Sequence, residues 1–250
     1  SRSNMRIVFN DFVTRSFRDV ADQDYIAARL CYQNNLMIQF TWSALQAVEK
    51  YLKSILLYNR VSAKKLNHDL CKSLRRVESI EDLGFELPDD CREFIEFLNI
   101  YGANRYLSHA HYNLPHQIVD LDKTVWCLRR YCYDMRQVVS RGGESIDLFD
   151  INKRRIKNAE SMPYIKCRMF TGHLEKVIKS KSHDQRKPLI WQNLYFGELN
   201  RKAVHLPDRF NAINPTPTLH PEVILEIEKY VTMPKTLIEA YKIKLTNNST

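Results

Sequence analysis

Across the first 141 positions apolar residues recur at three- and four-residue steps, the spacing that gathers side chains on one face of an α-helix. Asp22 or Asp24 can cap a helix beginning near Tyr25, and the helical pattern then runs to Tyr58 with one break at Asn34-Asn35. In the second of these two helices Met37, Phe40, Ala44, Val48, Tyr51 and Ile55 make a stripe, while Glu49 and Lys53 stand four apart on another face. Its apolar arc is wide enough for part of it to face another chain. Asn67 or Asp69 can cap a third helix that ends near Glu78, after the basic loop Arg60 to Leu66. Pro88-Asp89-Asp90 opens a fourth, with Cys91, Phe94, Ile95, Leu98 and Tyr101 on its apolar side and Gly102 as terminator. Leu121, Val125, Leu128, Cys132, Met135 and Val139 predict a fifth helix with one continuous seam, leaving Lys123, Arg130 and Gln137 on a solvated face. The fold class predicted for residues 1–141 is therefore all-α, an up-and-down helical bundle.

Beyond residue 142 the periodicity weakens. Phe170, Leu174, Val177 and Ile178 fit a short amphipathic helix, and residues 189–196 read equally well as a strand or a buried helix. A proline-bearing loop spans His205 to His220, and two closing helices are expected at Pro221 to Tyr230 and Pro234 to Leu245. Charge sharpens the division. Residues 1–150 balance 20 basic against 20 acidic groups, so the whole net charge of +9 falls in residues 151–250. That shift places a boundary near Arg141-Gly-Gly-Glu-Ser145 and marks residues 142–250 as a basic, mixed helical C-terminal region.

Composition removes several classes of chemistry. Six glycines form neither G-x-G-x-x-G nor G-x-x-x-x-G-K, so the loops that bring backbone amides against a phosphate are missing. The six cysteines contain no C-x-x-C, and their apolar surroundings read as reduced core thiols rather than a zinc or disulfide framework. No apolar run reaches the length of a membrane helix, and a cytoplasmic location with no membrane partner is expected.

The segment Gln46-Ala-Val-Glu49-Lys50-Tyr-Leu-Lys53, followed by His68-Asp69-Leu70 and later by Asn104-Arg105-Tyr106, resembles the HEPN superfamily over about residues 20–140. The resemblance implies a commonly dimeric helical bundle, found in nucleotide-binding and RNA-cleaving proteins that include toxins and phage-defence nucleases. Catalytic members carry an Arg followed four to six residues later by His, a pattern met by Arg105 with His109 or His111. Attack by a ribose 2′-hydroxyl needs an imidazole to move a proton and a fixed guanidinium to stabilise the phosphorane. No metal or other cofactor is called for. Tyr106 stands where active members usually carry a polar residue, so an inert binding module and a helical protein-interaction partner remain as alternatives.

The expected partners are RNA or a nucleotide and a second copy of the chain. For the nucleic acid, Lys153, Arg154, Arg155 and Lys157, with Tyr164, Lys166 and Arg168 nearby, combine phosphate-binding charge with an aromatic that can stack on a base.

Overall fold

The computed structural model describes residues 2–102, 111–159, 172–197, 201–233 and 235–247. Helices α1 (Arg2–Val13), α2 (Asp19–Gln33), α3 (Met37–Tyr58), α4 (Leu70–Glu78), α5 (Asp89–Tyr101) and α6 (Gln117–Arg129) build the bundle. They are followed by α7 (Phe149–Ala159), α8 (His173–Lys179), α9 (Arg186–Ile190), α10 (Thr216–Leu219), α11 (Ile224–Glu228) and α12 (Lys235–Asn247). Strand β1 (His111–Asn113) pairs antiparallel with β4 (Asn211–Ile213), and β2 (Val138–Arg141) pairs with β3 (Glu144–Asp147). Mainly helical architecture thus agrees with the sequence pattern.

The axis of the bundle is α3. Phe40, Ala44, Leu45, Val48, Tyr51, Leu52, Ile55 and Leu56 on it are fully buried, because α1, α2, α4, α5 and α6 all pack around it. Burying a large apolar side chain of this kind contributes about 1.5–3 kcal/mol. Its wide apolar arc is therefore taken up by the chain's own helices, with Trp42 left at the surface, and needs no second chain to cover it.

Several boundaries differ from the periodicity, each for a physical reason. A π-helical turn at Thr14–Arg18 joins α1 to α2, so Asp22 and Asp24 lie inside a continuous helix and cap nothing. Asp69 does cap α4, accepting from the Lys72 amide at 2.9 Å. Gly102 ends α5 in a right-handed conformation. Its missing side chain admits a close approach instead, since a Cβ there would lie 2.7 Å from Leu45 Cδ1. α6 stops at Arg129, and Cys132 and Met135 continue the core from a turn. Val139 belongs to the exposed β2–β3 hairpin, whose Gly142-Gly143 corner takes φ values of 62° and 85°, as a two-residue type I′ turn requires.

Residues 189–196 form neither a strand nor a full helix. Asn193, fully buried, accepts from the amides of Tyr195 and Phe196 at 2.9 and 3.0 Å and donates to Leu189 O and to the Tyr25 hydroxyl, both at 2.9 Å. Its side chain replaces a ladder of backbone bonds. The main core continues through Ile156, Leu174, Val177, Leu189 and Phe196, and a smaller cluster of Ile224, Met233, Ile238 and Tyr241 holds α11 and α12 together.

Two buried ion pairs lock α2 to α6. Asp22 meets Arg129 at 2.8 Å, and Arg29, two turns later, meets Asp122, two turns earlier, as antiparallel helices require. Residues from the C-terminal region complete both. Glu175 on α8 accepts from Arg129 at 2.6 and 2.7 Å, and the carbonyls of Pro188 and Trp191 accept from Arg29.

Candidate nucleic-acid interface

The polar residues of the α3 motif are spent inside the bundle. Lys50 reaches Asp24 on α2 at 2.6 Å and Gln46 at 3.0 Å. Glu49, nearly buried, holds Lys53 at 2.5 Å and the His68 imidazole at 2.8 Å. Between them Ala47, Val48, Tyr51 and Leu52 are core residues. This motif fixes α3 against α2 and against the loop leading to α4.

Arg105, Tyr106 and His109 lie outside the described residues, as does the side chain of His111, whose backbone opens β1. What surrounds that segment is defined. On its N-terminal side Gly102 abuts Leu45 of α3. On its C-terminal side buried Asn113 donates to Gln117 at 3.0 Å and to Thr41 of α3 at 3.5 Å. Tyr112 packs edge to face against Phe97 and Tyr101, which are tilted on one another, with ring centroids 5.0–5.9 Å apart, beside the two anchors.

At the other end of the bundle the basic helix α7 lies over the turn that precedes α5. Lys153, Arg154 and Lys157 line an open cleft of about 230 Å³ with Leu83, Gly84, Glu86, Arg130, Tyr131 and Ile156. Three of the proposed phosphate-binding residues thus share one wall, while Arg155 is exposed outside that lining. Tyr164, Lys166 and Arg168 lie outside the described residues. Lys153 stands 4.6 Å from the centre of the Phe149 ring and donates to Asp82 O at 3.2 Å.

The basic end contains residues that sequence spacing misassigned or passed over. Arg130, expected on a solvated face, is buried and donates to Ile156 O at 2.8 Å, tying α6 to α7. Arg136 forms a two-pronged pair with Asp82 at 2.7 and 2.8 Å and lies 4.0 Å over Phe149. That hydrogen bonding holds the Asp82 carboxyl below the ordinary carboxylate range. Lys123, also expected to be solvated, pairs with Asp90 at the start of α5. Only the local run of charge around residue 154 was visible in the sequence, because Arg130 and Arg136 are placed by tertiary packing.

Leu83 to Glu86, on the wall of the α7 cleft, precede the first residue of α5 and Gly102 follows its last, across a 13-residue helix about 20 Å long. α6 runs the other way, from Gln117, bonded to Asn113 of β1, to Arg129, which adjoins Arg130 of the α7 cleft.

Comparison with known proteins finds one family. Residues 14–124 match the HEPN domain family model. No curated protein and no solved structure matches the chain. The match covers α2 to α5, the Arg105 segment, β1 and the first half of α6, the elements that hold the α3 motif and carry the Arg105 pattern. Over residues 14–124, rather less than half its length, the chain is thus similar to HEPN domains.

Proposed function

We propose that this is an RNA-acting HEPN protein, a metal-independent endoribonuclease of the toxin or phage-defence type, in which the basic end holds the strand and the Arg105 segment cleaves it. The observation that carries the reading is the cleft lined by Lys153, Arg154, Lys157 and Arg130, which gathers positive charge on a HEPN bundle. Arg105 would stabilise the pentavalent phosphorus, and His109 or His111 would move the proton of the 2′-hydroxyl. Because no step needs a metal, cleavage of a mixed RNA pool is expected to survive chelation. Arg105→Ala is expected to abolish cleavage while leaving binding largely intact, and loss of the working histidine should cost about 100-fold to 10,000-fold in rate. Cleavage indifferent to all three residues would remove the assignment.

Tyr106 favours a second reading, an inert HEPN scaffold that binds RNA or a nucleotide without cutting it. Tyr106→Asn separates the two: activity gained by that change identifies an inert parent. In either case we propose a homodimer, formed through faces other than the enclosed α3. Light scattering should then give about twice the 29.6 kDa mass of the chain.

A further inference from the structure

A second cleft, of about 300 Å³, opens between α1 and the end of α3. Arg6, Phe9, Tyr58, Asn59, Arg60 and Arg136 line it. Three guanidiniums in one small cleft call for an accounting of their negative partners. Arg6 is neutralised by Asp134, at 2.6 and 3.1 Å, and Arg136 by Asp82. Arg60 has no carboxylate within ion-pair distance among the described residues. It donates to Leu57 O at 3.0 Å and lies 4.1 Å from the centre of the Phe9 ring.

Partial burial and the neighbouring positive charge of Arg6 lower the Arg60 pKa, and the more distant Asp134, already paired with Arg6, offsets this only in part, so an anion in the cleft would favour the charged form. A guanidinium stacked on an aromatic ring also presents its edge donors in a fixed fork, the geometry that suits a phosphate. Arg136 connects the two clefts. It lines this one, pairs with Asp82 beside Leu83 of the other, and shares the Phe149 ring with Lys153.

We infer that the Arg60 cleft is a second phosphate-binding site, which takes a phosphodiester of the same single-stranded RNA that lies along α7. This rests on the reading of α7 as an RNA-binding helix, and the test keeps the two apart. Binding of a 20-nucleotide single-stranded RNA is measured against salt for the parent, for Arg60→Gln, for Arg60→Lys, and for the variant with Glu at 153, 154, 155 and 157. Inorganic tripolyphosphate serves as the competitor.

Arg60→Gln is expected to weaken RNA binding about 5- to 10-fold and to lower the salt slope by about one, the loss of one phosphate contact. Arg60→Lys keeps the charge and should retain the slope while losing part of the affinity, with an unchanged thermal midpoint showing that the fold is intact. Tripolyphosphate should compete with RNA for the parent and less well for Arg60→Gln. An RNA affinity and slope unmoved by Arg60→Gln, with the α7 variant impaired, overturns this site and leaves the α7 reading standing. The reverse result overturns the α7 reading and keeps the Arg60 site as the phosphate contact. If neither variant differs from the parent, or the parent does not bind, both fail. Tripolyphosphate binding at Arg60 without an effect on RNA would also overturn the proposal, by assigning the cleft to a free phosphate.

Discussion

Arg129 shows how much one side chain decides here. It is buried, it holds Asp22 and Glu175 at once, and Asp22 also accepts from the Tyr51 hydroxyl at 2.6 Å. Arg129→Met is expected to destabilise the protein by about 3–5 kcal/mol, because it leaves a fully buried carboxylate without its counter-charge. Adding Asp22→Asn and Glu175→Gln should recover part of that loss, which urea denaturation would read as a partial return of the midpoint. Surface pairs act through pH instead. Hydrogen bonds from Arg136 and Lys123 lower the carboxyl pKa values of Asp82 and Asp90 in the folded state. Their contribution is complete above the unfolded carboxylate pKa of about 4 and disappears as pH falls through the lowered folded values. Arg136→Met should therefore flatten the acid limb of stability below about pH 4, which melts across that limb would detect. None of these pairings is legible from spacing, since Asp22 and Arg129 are 107 residues apart.

Elements were legible in proportion to how local their causes are. The α3 stripe, the Asp69 cap and the acidic start of α5 are all written in a few consecutive residues, and each is found in the structure. Local pattern failed where a distant partner supplied the decisive bond. The turn at residues 191–197 is held by Asn193, whose bond to Tyr25 crosses 168 residues. Asn193→Ala is expected to cost about 1–3 kcal/mol by leaving buried backbone amides unpaired. Hydrogen exchange should show the loss as faster exchange at Tyr195 and Phe196. β4 was likewise hidden in the proline-bearing loop, because a three-residue strand exists only through its partner β1.

For the whole molecule, the proposed division of labour, in which α7 holds the strand and the Arg105 segment cuts it, makes the effect of α7 depend on substrate length. Charge reversal at residues 153, 154, 155 and 157 is expected to slow cleavage of a 20-nucleotide RNA at limiting concentration and to leave that of a four-nucleotide substrate unchanged. Cleavage rates across an oligonucleotide length series test this, and equal effects at all lengths would contradict that division. The sequence alone determined the helical class, the apolar stripe of α3 and the run of charge near residue 154, because each follows from periodicity or composition within a short window, and it carried the HEPN resemblance in a few short motifs. Tertiary structure decided the partners of the buried arginines, the path of residues 189–197 and the joining of α6 to α7 through Arg130. Those depend on which distant groups must be paired once water is excluded, a condition that no local pattern encodes.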